Sequence, residues 1–217
     1  MKRGAIFDMD GTIADSMWVW QEVDRIWMQE NNIPPSEELA WVLKTSTFPV
    51  SAKYVIENYD LGQTEEDVMR QWRDLAADEY EHAVRLKEGV LDFLQYLKDE
   101  GVAMTLATSC LKEPCFRLLH KYDLGRYFDH VLFTQDFNTD KKKPDLYLAC
   151  ADVMGLAPES CVVFEDIRPA LIGAGLAGMK AVAVYDAVAS EPWDQTVLAA
   201  SASIRHWKDA KEVWNRL

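Results

Sequence analysis

The sequence predicts an α/β protein: a doubly wound, Rossmann-like parallel sheet interrupted early by an all-helical insertion. Three observations lead there. Short apolar runs of strand length recur at residues 4–7, 102–107, 161–164 and 181–184. Helical patterns precede the second and third of these runs, as parallel βαβ units require. Between the first two runs, residues 16–85 carry helix starts and no convincing strand.

The elements follow in order. Gly4-Ala5-Ile6-Phe7 runs into Asp8-Met9-Asp10-Gly11-Thr12, a buried strand halted by a glycine turn. In the insertion, Pro34-Pro35 and Pro49 punctuate the chain. Ser36-Glu37-Glu38 and Thr64-Glu65-Glu66-Asp67 place a capping hydroxyl before acids of a first helical turn. Met17, Trp20, Val23 and Trp27 have helical spacing, and Val68, Trp72, Leu75 and Glu79 share a face of the last insertion helix. Such stripes are more often packing than ligand contacts. Beyond the insertion, Val90, Phe93, Leu94 and Leu97 mark a helix before the strand at 102–107. Residues 131–133 form a weaker strand, and Leu146, Leu148, Ala149 and Val153 mark the helix before 161–164. The expected domains are a core of residues 1–15 and 86–217 and a helical cap of residues 16–85.

Composition narrows the function. Of 217 residues, 23 are Lys or Arg and 36 are Asp or Glu, a net charge of −13. An acid excess of that size argues against nucleic acid, whose phosphates demand clustered cations. It leaves room for a small anionic ligand, since a lysine and a metal can invert the field at one site. Cys110, Cys115, Cys150 and Cys161 show neither C-x-x-C spacing nor a neighbouring His at ligand spacing, which fits a reducing compartment. No apolar stretch is long enough to span a bilayer, and the run behind Lys2-Arg3 is too short for a signal peptide. A cytoplasmic protein is expected, with no membrane partner.

Ligands of open parallel sheets bind beyond the carboxyl ends of the strands. Here those ends deliver Asp8 and Asp10, Thr108 and Ser109, and Glu165 and Asp166, while Lys141, Lys142 and Lys143 precede the helix leading into the third. Acids, hydroxyls and a cation at one sheet edge suit a hard divalent ion holding a phosphate.

That set resembles the haloacid dehalogenase superfamily, in its branch of phosphatases and β-phosphoglucomutase-like proteins with a helical cap. Asp8-Met9-Asp10-Gly11-Thr12 is its first motif, Thr108 its second, a lysine before Pro144-Asp145-Leu146-Tyr147 its third, and Glu165-Asp166 its fourth. The resemblance spans nearly the whole chain. It implies Asp8 as nucleophile and Asp10 as general acid and base. It implies Mg²⁺ held by Asp8, Asp10 through its carbonyl, and Asp166, with Glu165 as a further ligand. Thr108 and Lys141 would hold the phosphoryl group with the N–H groups of Met9 and Ser109. Trp18, Trp20, Lys44 and Phe48 would be substrate-facing cap residues. Two departures stand out. The family's lysine motif is Lys-Pro-x-Pro-Asp; spacing selects Lys141, whereas the Lys-Pro pair alone selects Lys143. A small hydroxyl residue usually follows Glu-Asp, and Ile167 stands there.

The resulting expectation is a Mg²⁺-dependent phosphatase for a small phosphorylated metabolite, acting as a monomer through an aspartyl-phosphate. A sugar phosphomutase is the nearest alternative, and a catalytically silent binding protein is another. β-Phosphoglucomutases carry a His past the first motif and an Arg in the cap loop. This chain has Trp20 and, approximately, Phe48 at those places, which favours hydrolysis and a substrate with one phosphate and some apolar surface.

Overall fold

The computed structural model describes residues 3–46, 48–137, 139–188 and 192–217. It divides into two compact units, Met1–Met17 with Val84–Leu217 and Trp18–Ala83.

The first unit is built on a parallel sheet. Its strands are β1 (Gly4–Phe7), β4 (Ala103–Thr108), β5 (His130–Phe133), β6 (Cys161–Glu165), β7 (Lys180–Val184) and β8 (Ala202–Ile204), in the order β5-β4-β1-β6-β7-β8. All neighbours are parallel, and β1 sits at the centre with Phe7 paired to Leu106 on one side and Phe164 on the other. Being covered on both faces, β1 and β6 are buried throughout, which is why residues 4–7 and 161–164 read as unbroken apolar runs. Phe7 stacks on Phe164 with centroids 4.9 Å apart, and Phe93 and Trp207 close edge-on and tilted around them.

Helices α5 (Val90–Asp99), α6 (Lys112–Lys121), α7 (Asp145–Met154), α8 (Arg168–Leu176), α9 (Trp193–Leu198) and α10 (Ala210–Arg216) belong to the same unit. Two features go beyond the sequence reading. A short antiparallel pair, β2 (Ala14–Asp15) with β3 (Arg85–Leu86), joins the chain on either side of the insertion. The edge strand β8 lies in Ala-Ser-Ile, which has no apolar run to announce it.

The second unit is helical, with α1 (Val19–Glu30), α2 (Glu37–Thr45), α3 (Phe48–Asn58) and α4 (Glu65–His82). Both expected caps form. Ser36 accepts from the Leu39 amide, and Thr64 and Asp67 make a reciprocal capping box. The buried faces differ from the expected ones. Helix α1 buries Val19, Val23 and Trp27, leaving Trp20 exposed and off that stripe. Helix α4 buries Val68, Trp72, Ala76, Ala77 and Tyr80, while Leu75 and Glu79 lie on its half-buried flank. The stripe stepping by four from Val68 to Tyr80, with Ala77 beside it, is the one that packs.

Asp24, half-buried on α1, has its carboxyl pushed up to about 6 by burial. The folded protein therefore holds this proton more tightly than the unfolded chain does. Stability is lost as pH climbs from the ordinary carboxylate value through about 6. Asp24→Asn removes that loss. Its melting midpoint should exceed the wild type's by about 2–4 °C at pH 8, roughly 1 kcal/mol. The gain should vanish at pH 4, as thermal melts at the two pH values will read.

Candidate active site

The strand ends bring the sheet's polar residues together. Asp8 leaves β1 with its N–H still donating to the Phe164 carbonyl at 3.0 Å, so the ladder fixes its backbone beside β6. The next residue is buried, and its carbonyl accepts from the amides of Thr12, Ile13 and Ala14 at 3.3, 3.0 and 2.9 Å. Met9 is thus the anchor of a tight loop. Gly11 turns that loop at φ +78°, and a Cβ there would strike Oδ2 of Asp166 and lie 2.9 Å from its Cγ. Only glycine satisfies both the left-handed backbone and the close approach.

Lys141 is buried and bonds directly to Asp8 Oδ1, while its Nζ lies 2.7 Å from Glu165 Oε1. Lys143 is exposed, and its amide donates to the Asp140 carbonyl at 3.2 Å; Lys142 is exposed too. The ammonium at Asp8 is therefore that of Lys141. Its position depends on Gly173 in α8, where any Cβ would collide with the Lys141 carbonyl and lie 3.0 Å from its carbonyl carbon. Gly173→Ala should push this segment away from α8 and lower turnover about tenfold to a hundredfold, on the general scale of a displacement near 1 Å. Steady-state kinetics on folded protein will check it.

Glu165 is almost wholly enclosed, and its second oxygen accepts from the amides of Asp166 (2.9 Å) and Ile167 (3.2 Å). It ties the end of β6 to the start of α8 while orienting Lys141. The Ile167 side chain itself is exposed, and its contribution here is the backbone N–H. Asp166 accepts from Thr12 Oγ1 at 3.2 Å on one oxygen, and its other oxygen, Oδ2, is buried with no partner among the described residues. Asp10 is pinned by Ser16 Oγ at 2.6 Å. Thr108, fully buried at the end of β4, accepts from the Cys110 amide at 2.9 Å, which leaves its hydroxyl proton to donate elsewhere. Ser109 beside it is exposed.

The electrostatics follow from crowding. Burial pushes the Asp8 carboxyl up to about 7, with Lys141 opposing the rise and Glu165 and Asp10 adding to it. Burial, then Glu165 and Asp8, hold Asp166 well above the usual carboxylate range. For Lys141 burial works to lower the value, but Asp8 and Glu165 outweigh it and the ammonium stays charged. Oxygens of Asp8, Glu165 and Asp166 all lie within 4.8 Å of one another. Three buried carboxylates against one cation, with a buried oxygen unpartnered, make a donor set of hard oxygens that fits a divalent ion.

The remaining expected residues belong to the helical unit. Trp18 and Phe48 are half-buried, and Trp20 is exposed with its ring edge-on to Phe48 at 5.2 Å. Phe48 in turn meets Trp72 at 5.5 Å, and Trp72 meets Trp27 at 5.3 Å. Lys44 lies in α2, with its side chain outside the described set. The sequence marks no role for Ser16 or Gly173: Ser16 meets Asp10 across the loop after β1, and Gly173 meets Lys141 from a helix far along the chain. Thr12 lay inside the first motif without a role of its own.

The sequence profile of the haloacid dehalogenase-like hydrolases matches residues 5–184. The chain belongs to that family. Among haloacid dehalogenase-like relatives, the phosphorylated carbohydrates phosphatase of Thermotoga maritima is 25% identical over 200 residues, 92% of each chain. Hexitol phosphatase A of Escherichia coli K12 is 30% identical over 194 residues, covering 88% of this chain and 86% of the relative. A solved Thermotoga maritima structure, provisionally named a β-phosphoglucomutase, superposes over 100% of both chains with a TM-score of 0.85 at 22% identity. It shares the fold of this haloacid dehalogenase-like hydrolase.

Proposed function

We propose that this hydrolase is a Mg²⁺-dependent phosphatase that removes the phosphate from a small phosphorylated sugar or polyol. The observation that carries the reading is the buried cluster of Asp8, Lys141, Glu165 and Asp166, with Oδ2 of Asp166 left unpartnered. Relatives named for carbohydrate and hexitol phosphates support the substrate class.

Asp8 attacks phosphorus, the ester P–O bond breaks, and Asp10 gives a proton to the departing oxygen. Water then attacks the aspartyl-phosphate, Asp10 takes its proton, and inorganic phosphate leaves with Asp8 restored. Lys141 neutralises charge between Asp8 and the phosphoryl oxygens, and Thr108 donates to one of them, with the amides of Met9 and Ser109 assisting. Ser16 holds Asp10 in place, and Glu165 holds Lys141. Asp8, the carbonyl of Asp10 and Asp166 would hold Mg²⁺, with Glu165 beside them. The ion supplies positive charge that favours the ionised carboxylates and draws charge from the phosphoryl oxygens.

The test is phosphate release from a panel of sugar, polyol, nucleotide and short-chain phosphates, with p-nitrophenyl phosphate as the apolar rival. Release should require Mg²⁺, cease with EDTA, and be fastest for sugar or polyol monophosphates. Activity that survives thorough metal removal would overturn the metal assignment. One further arm uses β-glucose 1-phosphate with catalytic glucose 1,6-bisphosphate; glucose 6-phosphate accumulating faster than free phosphate would make the protein a mutase.

A further inference from the structure

Outside the cluster at Asp8 the unit that carries Asp8 contains a further, largely enclosed ion pair. Lys87, directly after β3, lies 2.9 Å from Asp186 Oδ2, with side-chain exposures of 16% and 3%. Its Nζ also donates to the Tyr185 carbonyl at 2.8 Å and to the Gly11 carbonyl. An ammonium has three N–H donors, and here each meets one oxygen. The cage is itself fixed. Asp186 Oδ1 accepts from the Val188 amide at 2.8 Å, and the Lys87 amide donates to the Ile13 carbonyl at 2.9 Å.

The oxygens come from separate places. Gly11 follows β1, whereas Tyr185 and Asp186 follow β7. In the sheet β6 lies between those strands, so Lys87 joins the loops on either side of the strand that carries Glu165. Gly11 adjoins Asp10, its Cα faces the Asp166 carboxylate, and the neighbouring Thr12 bonds that same carboxylate. Two carbonyls and a carboxylate with no cation among them would repel one another and spread. The loop that sets Asp10 and Asp166 would move with them.

We infer that Gly11, Tyr185 and Asp186 form an oxygen cage for a monovalent cation, filled by the chain's own Lys87, and that this internal cation is a positioning residue for Asp10 and Asp166. The inference rests on the phosphatase reading for its kinetic consequence but not for the cage. With the ammonium removed, the cage should accept a small primary ammonium ion of the right size.

The experiment uses Lys87→Met, Lys87→Ala and Asp186→Asn in the full chain. Lys87→Met keeps the length of the stem and removes the charge. Its kcat should fall about tenfold to a hundredfold, the scale of a small misplacement of reacting groups, with a smaller change in KM. Lys87→Ala should lose as much, and methylammonium chloride should restore at least about fivefold with saturation. Tetramethylammonium chloride at equal ionic strength should restore nothing, because it has no N–H to donate. The melting midpoint of Lys87→Ala should also rise with methylammonium and not with tetramethylammonium, by preferential binding to the folded state. That midpoint tests the cage even if wild type releases no phosphate, an outcome that would count against the phosphatase reading alone. Equal effects of the two ions on the midpoint overturn the cage. A folded Lys87→Met within twofold of wild-type kcat overturns the positioning role. Should Lys87→Met fail to fold, Asp186→Asn decides: lowered kcat supports the role and unchanged kcat removes it.

Discussion

Asp8→Asn is expected to lower turnover by about 10⁴-fold or more while the protein stays folded. The amide has nearly the shape of the carboxylate but cannot form the acyl-phosphate, so the two-step path is closed. Stability should hold or improve. Asp8 sits within 4.8 Å of the Glu165 and Asp166 oxygens, and burial has already pushed its carboxyl up to about 7. In the metal-free protein a neutral side chain relieves that crowding. Its melting midpoint should therefore match or exceed that of wild type above pH 7, where Asp8 is ionised. Below the ordinary carboxylate range both forms are neutral and the difference should shrink. Retention of more than a few per cent of wild-type kcat would show that Asp8 is not the nucleophile.

The second large effect belongs to Lys141. Lys141→Met removes the cation and leaves Asp8 and Glu165 enclosed without their shared partner. Breaking a buried pair from one side costs about 3–5 kcal/mol, since the other charge stays behind. Glu165 keeps two amide donors, which places the expected loss toward the lower end of that range. Turnover should fall about 10²–10³-fold, the usual effect of removing one group that stabilises transition-state charge. Lys143→Met is the control. It is exposed, and its change should stay within about 0.5 kcal/mol in stability and about twofold in kcat. Equal, mild effects from the two variants would remove the lysine from the chemistry.

Those two residues also show what the sequence disclosed. The central strands were legible because a strand buried on both faces must be apolar along its length, as residues 4–7 and 161–164 are. The acids at their ends were legible because a parallel sheet gathers its ligands at one edge. The choice between Lys141 and Lys143 was open in the sequence, since spacing and the Lys-Pro pair pointed to different residues. The structure brings the Lys141 ammonium to Asp8 and Glu165, along a backbone that Gly173, more than thirty positions away, admits by its missing Cβ. The same limit hid Lys87, which lies in the sequence as one charge before a glutamate. Its meaning comes from carbonyls contributed by Gly11 and Tyr185. The face of α4 was ambiguous for another reason: after Val68 and Trp72 the stripe continues equally well by three to Leu75 or by four to Ala76, and only packing selects Ala76 and Tyr80.

The position of β1 at the middle of the sheet has a consequence for how the chain is made. Its four residues leave the ribosome before the rest of the sheet, and both neighbours, β4 and β6, are translated far later. Counting from Phe7 to Glu165, 158 residues must be added, about 8–30 s at usual rates of synthesis. Both edges of Gly4–Phe7 are open until β4 is made, and the edge that β6 covers stays open until β6 is made, exposed to other nascent chains. Residues 18–83 need not wait, since their helices meet partners close in sequence. Strands β6 to β8 thus complete a centre translated well before them, and slowing elongation before residue 161 would lengthen the interval in which aggregation competes.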